Sequence, residues 1–438
     1  MSTIARLRPH SQVLWTLLLL VPLAGVMGVF LGTDDMEVVR AGVILSVLTV
    51  VSLLLFWRVS RADPQGSQLL TVILVSFAFK VLMAWFRHAG GLLADAYAYD
   101  AGGKGHALML ARGEWPTHLV TLGTSFVKLL VALFYYAAGV SFGGISILWA
   151  WFGTIGMLFF HLAFTTAFPQ GHRRLYTLMI FLYPSLLLWT SSLGKDALVI
   201  MLLGMAAYGV ARLQHRFSIV GLWWLVLGLV GVFWIRPHIV VLFLLALGIS
   251  SLILPIRASF MTPIVRLAGW VVIALTFQFV VATSGYAVFL EEPEVVLESI
   301  GERQWRSLRG GSGFEQVDIR SAAGLAMAVP TILFRPFPWE AHRVTALIAS
   351  LEGLGLLALM LYRRRSVAAA MSGMFRNSYL LFVSVYILLF IFLFSAFGNF
   401  GIIARQRASM FFPFLFMWVA YLAPRQGDST DAGGEQKK

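Results

Sequence analysis

Of the 438 residues, 59% are hydrophobic and only 12% charged, where soluble domains have roughly 45–50% and 25%; the mean hydropathy of +0.84 completes the exclusion of a water-soluble fold. The net charge of +13 lies in short clusters between apolar runs and not along one face, which speaks for membrane orientation and against a nucleic-acid partner. Cysteine is absent, which removes disulfides, thiolate metal sites and a thiol nucleophile, and leaves carboxylate and imidazole as the side chains a metal would need.

Apolar runs fall at 12–31, 38–57, 68–86, 143–168, 174–192, 195–213, 217–235, 239–254, 264–283, 343–362, 377–397 and 408–423, and about 20 apolar residues suffice to span a bilayer. The first run follows Arg6 and Arg8 as in a signal peptide, but no small-x-small cleavage site closes it, so it reads as a retained anchor. The pattern predicts an all-α, polytopic transmembrane helical bundle of about twelve spans with interfacial helices on the outer face. Residues 1–424 read as one domain and 425–438, polar and Gly-containing, as a disordered cytoplasmic tail.

Lysine and arginine concentrate in short cytoplasmic loops. Arg58/Arg61, Arg173/Arg174, Arg212/Arg216, Arg257/Arg266, Arg363/Arg364/Arg365/Arg376 and Arg425/Lys437/Lys438 all fall on the N-terminal side of this arrangement. Both termini are therefore expected in the cytoplasm, in a bacterial inner (plasma) membrane, with the functional face outward. The run 121–140 is apolar enough to cross, yet counting it would invert every later loop. It is expected instead as a helix along the outer interface, with Lys128 snorkelling to the headgroups of membrane lipids.

The outer face then carries two long loops, 87–142 and 284–342, and nearly all acidic residues outside the tail. In the first loop Asp95 and Asp100 flank Tyr97 and Tyr99 directly after a span. A carboxylate so placed can take a proton from an attacking hydroxyl, with Tyr99 beside it as a substrate contact; capping a helix near Gly102 is the plainer role for either aspartate. Within 183–213 one apolar helix ends and the next begins at once, putting Lys195 and Asp196 in a tight outer turn. There Asp196 also suits the positive end of a helix dipole.

Outer-face cations follow: Arg236 and His238 in IRPH, Arg335 in FRPFPWEAH with Glu340 beside it, and Arg405 and Arg407 in GNFGIIARQRASMFFPF. Guanidinium forks match phosphate oxygens bidentately, although interfacial arginines also simply bind headgroups. Loop 284–320 is acidic, then basic, then Gly-rich, and reads as solvated surface, with a lid over an acceptor as the alternative. Lys80, His161 and Glu352 lie inside spans, where ionisable groups are rare and usually paired.

These elements, taken in order, carry a resemblance. An aspartate in the first large outer loop precedes an interfacial helix, then a short span closed by Pro184, Leu186 and Trp189, then an acidic residue, Asp196, opening the next span. This resembles the GT-C superfamily of polytopic glycosyltransferases, over roughly residues 68–260, and Arg405-Gln406-Arg407 resembles the arginine that often precedes the last core span in GT-C and related polysaccharide polymerase proteins. The resemblance implies transfer of a sugar from a polyprenyl-phosphate-linked donor to a glycan, lipid or protein acceptor hydroxyl at the non-cytoplasmic face. It places Asp95 in the catalytic position and Asp196 in the second acidic position, although the chain departs in having two extra spans and a second aspartate, Asp100. A divalent cation, Mg or Mn, joining Asp95 or Asp196 to the donor phosphate is compatible with hard oxygen ligands but not demanded.

Two other readings stay open. An O-antigen-type polymerase or ligase using undecaprenyl-diphosphate-linked chains would lean on Arg303, Arg306 and Arg309. A lipid-linked sugar transporter or flippase would want midplane polar residues, broken helices and repeat symmetry, whereas here the polar groups gather on one face and no repeat appears.

Overall fold

The computed structural model describes residues 35–89, 94–254, 322–341, 344–395 and 399–423, with three isolated positions between 270 and 278. The expected anchor at 12–31, nearly all of the 264–283 run, Arg303, Arg306, Arg309 and the tail lie outside the described residues.

Helix follows helix along the chain, with no β-strand among the described residues. α1 (Met36–Ala62) opens where the Asp35 side chain accepts from the Glu37 amide, and α2 (Gly66–Ala89) packs against it. α3 (Ala94–Ala111) and α4 (Thr124–Ala138) form a helical pair on one end of the bundle, joined by an exposed connector with a 3₁₀ turn at Thr117–Leu119. Then come α5 (Phe142–Ala167), α6 (Arg173–Leu182), α7 (Pro184–Trp189), α8 (Lys195–His215), α9 (Ile219–Ile235) and α10 (Pro237–Ile253). α11 (Ala322–Phe334), α12 (Val344–Tyr362), α13 (Arg364–Gly373), α14 (Ser378–Phe394), α15 (Phe400–Gln406) and α16 (Phe412–Val419) complete the described fold.

Four helices are long and apolar enough to cross a membrane, namely α1, α2, α5 and α8, and α12 with α13 make a fifth if their 72° bend is counted within one span. The described helices thus do not add up to the expected count, because several apolar runs are interrupted or short. The 174–192 run breaks at Tyr183, since Pro184 has no amide to donate and starts a new helix instead. The 408–423 run begins earlier, at Phe400, and passes through a π turn at Arg407–Phe411. α9, α10 and α14 have 17 residues each, at the lower limit of about 17–25 for a span. α4, in the 121–140 segment, has 15 residues and buries one stripe, Val127, Val131 and Tyr135, against α3 while Tyr136 stays exposed.

α8 is the centre of the bundle, held between α5 and α9. Small residues set the approach: a methyl group on Gly156 of α5 would lie 2.5–2.7 Å from the main chain of Ile200 and Met201, and one on Gly204 of α8 would meet the Gly156 carbonyl at 2.6 Å. Where lipid supplies no hydrophobic drive between helices, such close backbone contact is what holds them together. The ionisable residues inside spans are partnered, as their rarity requires. Lys80 donates to Thr190 Oγ1 at 2.5 Å, His161 bonds Asp63 and Thr177, both at 3.1 Å, and Glu352 accepts from the Ser185 amide and hydroxyl at the start of α7.

The loops sort to two ends. At one, Asp63 pairs with Arg173 at 3.6 Å, the His172 amide donates to the Ala420 carbonyl, and Arg363 donates to the Val419 carbonyl. Burial works to raise the Asp63 pKa, but hydrogen bonds from His161 and the Gln65 amide, with the charge of Arg173, hold it below its ordinary value. At the other end the loops carrying residues 95, 123, 195, 236 and 405 meet, and there the candidate site lies.

Candidate functional site

After α7 stops at Trp189, the backbone of 190–194 carries no regular helix, and α8 begins at Lys195 with Asp196 in its first turn. Asp196 is only 2% exposed, a position tolerable for a carboxylate when the helix N-terminus and paired cations offset its desolvation. Its Oδ1 accepts from Arg236 Nη2 at 2.9 Å and from Ser409 Oγ at 3.4 Å, and its Oδ2 accepts from Arg405 Nε. Arg236 is fixed at the corner between α9 and α10, where Pro237 opens the next helix. Arg405 then donates through Nη1 to Asp95. One guanidinium therefore joins the two acidic positions, which the sequence alone could only align by analogy.

Asp95, Ala98 and Tyr99 project from one face of α3 into a cavity of about 640 Å³, whose other walls are Lys195, Arg236, Pro237, His238, Arg405 and the start of α4 at Leu122, Gly123 and Thr124. Asp95 keeps 62% of its side chain exposed despite its ion pair, so it is open to a ligand. Burial pushes the Tyr99 phenol above its ordinary pKa, with Arg405 pulling the other way; it remains a hydrogen-bond donor at neutral pH. Lys195, Arg236 and Arg405 outnumber Asp95 and the underlying Asp196, with His238 adding a further imidazole. Such an arrangement attracts an anion while presenting one accessible carboxylate beside it.

Asp100 points elsewhere. Its Oδ1 accepts from the Tyr135 hydroxyl at 2.5 Å and its Oδ2 pairs with Lys104 at 3.0 Å, so it ties α3 to α4. Arg335 and Glu340 do not line the cavity; they pair with one another, and Glu340 also accepts from the Phe337 amide at 2.8 Å. Burial acts to raise the Glu340 pKa, but these bonds hold it below its ordinary value. Arg407 is buried and donates to the carbonyls of Ile332, Leu333 and Arg335 at 3.0–3.1 Å, closing the end of α11. The π turn that begins at Arg407 accompanies this division, leaving Arg405 on the cavity and Arg407 against α11.

Arg87 was not singled out from the sequence. It donates to Ser192 Oγ at 2.6 Å and the Leu188 carbonyl at 3.2 Å, lies over the Trp189 ring, and interacts electrostatically with Arg405, Asp196 and Asp95. A signal existed: an arginine just after 68–86, at the end of a span that the basic clusters assign to the outer side, runs against the positive-inside pattern. The residues do not fit a divalent cation at Asp95 and Asp196, because both Asp196 oxygens already accept from guanidinium groups and the bridging position is held by Arg405. No group of three or more His, Asp or Glu with metal-binding geometry occurs among the described residues.

Compared with known proteins, the chain matches no family model, no curated protein and no solved structure. The fold and the site define a class by their own features: a helical membrane protein with a cationic cavity, holding one accessible carboxylate, at one end of its bundle.

Proposed function

We propose that the protein is a GT-C-like membrane glycosyltransferase that moves a sugar from a polyprenyl-phosphate-linked donor to an acceptor hydroxyl on a glycan, lipid or protein. The observation that carries this reading is Arg405, which links the exposed Asp95 to the buried Asp196 on the wall of the cationic cavity. The donor phosphate sits against Arg405, Arg236 and Lys195, with the polyprenyl tail in lipid. Asp95 accepts the proton of the acceptor hydroxyl as its oxygen bonds to the sugar C1. The C1–O bond to phosphate breaks, and polyprenyl phosphate leaves with the electron pair. Arginines suit this role, since the leaving oxygen gains charge as the bond breaks.

The chain is a twelve-span protein of a bacterial inner membrane in this reading, with both termini cytoplasmic, the cavity outward and α4 along the outer interface. The polar groups of the site gather at one end and not at the midplane, which favours chemistry at a surface over transport. Because cysteine is absent, single-cysteine labelling of intact cells tests the orientation. Glu114→Cys, in the exposed connector, is expected to react with a membrane-impermeant maleimide, and Gln170→Cys only after lysis; the reverse pattern would turn the cavity inward. The phosphate contact is tested by binding. In nanodiscs, polyprenyl phosphate is expected to bind at least about tenfold more tightly than the neutral polyprenol, because a charge-assisted hydrogen bond is worth about 1.5–3 kcal/mol. Equal affinities would remove phosphate from the cavity.

A further inference from the structure

We propose that His106 and His118 form a surface site for a divalent transition-metal ion of the nickel, copper or zinc class, separate from the cationic cavity. His106 sits in the second half of α3, and its Nδ1 bonds to the Gly102 carbonyl one turn back. A carbonyl only accepts, so Nδ1 carries the proton and Nε2 of the neutral ring keeps its lone pair. His118 lies in the 3₁₀ turn of the connector and presents its own Nε2 at 2.9 Å from that of His106, with ring centroids 5.0 Å apart.

Two imidazole nitrogens, each about 2.0–2.1 Å from a metal, lie about 2.9 Å apart when the metal sees them at a right angle, the angle preferred by tetragonal nickel and copper. Zinc, being tetrahedral, requires a slight opening of the pair. The Nδ1 bond to Gly102 is the support that metal-bound histidines characteristically have, fixing both tautomer and ring plane. Without metal, the same approach is held by an N–H···N hydrogen bond from His118; on metal binding that ring proton passes to His118 Nδ1, so that Nε2 offers its lone pair to the ion. No third His, Asp or Glu completes the site among the described residues, so the remaining coordination positions belong to water and the ion exchanges.

The site's position gives occupancy a consequence. A metal here clips α3 to the connector that runs on to Leu122 and Gly123 in the cavity wall, and Gly123 is itself anchored by its amide to the Trp234 carbonyl at 2.7 Å. Binding is measured by titrating Ni²⁺ alone into the tag-free full chain in detergent, and connector rigidity by the rate of tryptic cleavage after Arg112 with and without Ni²⁺. Loss of an outer-shell partner already costs about 10–100-fold in metal affinity, so His106→Ala and His118→Asn, which remove a ligand, should each weaken Ni²⁺ binding by about 100-fold or more. Metal protection of Arg112 should be lost in both variants. Unchanged unfolding temperatures in metal-free buffer establish that both variants are folded. Wild-type affinity no better than that of the double variant, or full affinity in either single variant, would overturn the site.

Discussion

Replacing Arg405 by alanine is expected to lower transfer by about 10²–10³-fold, the effect of removing one preorganised group from the charge that develops in a transition state. Three consequences converge on this one side chain. Asp95 loses the guanidinium that holds it on the cavity wall, Asp196 is left with Arg236 and Ser409, and the cavity loses a cation. Because Asp196 is nearly inaccessible and keeps Arg236, the stability cost is about 1–3 kcal/mol, that of a charged partner removed from a satisfied group. Arg405→Lys should recover little, since an ammonium is a point charge and cannot present separate N–H groups to two carboxylates. Initial rates over a range of donor concentrations, with thermal unfolding of the same preparations, separate the two effects. An alanine variant that stays folded and retains wild-type kcat/KM would show that the bridge is structural.

Asp95→Asn comes second. Asparagine keeps the size and one acceptor oxygen but loses the charge and the basicity, and a general base typically contributes about 10²–10⁴-fold. Turnover should fall by that amount while polyprenyl phosphate affinity stays near wild type, the signature of an interaction realised in the transition state. Expression and unfolding temperature should change little, because the Asp95 side chain is 62% exposed. Asp100→Asn supplies the contrast. It still accepts from the Tyr135 hydroxyl and gives up only the pairing with Lys104, worth about 0–1 kcal/mol for a partly exposed pair, so turnover should remain close to wild type. A crippled Asp100 variant beside a normal Asp95 variant would move the base five residues along the chain.

How far the sequence reached depends on the residue. The apolar runs showed a helical membrane protein, and the basic clusters grouped the loops into two sets, one of which carries Asp95, Lys195, Asp196, Arg236, His238 and Arg405, which meet at one end. Asp95 and Asp100 were harder. Five residues turn an α-helix by about 500°, leaving the two roughly 140° apart, so one must leave any given face; which one depends on where α4 packs, a tertiary contact with no local mark. Arg405 and Arg407 looked equivalent because the π turn beginning at Arg407 has no sequence signature. Arg335 and Glu340, five positions apart around two prolines, form their own pair, and only the fold of that loop brings them together. Fewer than twelve spans are seen among the described residues because apolarity alone does not register the break at Pro184, and because the run at 12–31 and nearly all of the run at 264–283 lie outside those residues.

The central claim is sugar transfer from a lipid phosphate, and it is tested most directly in proteoliposomes holding the purified full chain, supplied with a panel of radiolabelled polyprenyl-phosphate sugars and candidate acceptors. The expected result is transfer of label from at least one donor to an acceptor, with one polyprenyl phosphate released per sugar transferred, abolished by Asp95→Asn and by Arg405→Ala but not by Asp100→Asn. Labelled product formed only from undecaprenyl-diphosphate-linked chains, or product formation that survives both Asp95→Asn and Arg405→Ala, would contradict it.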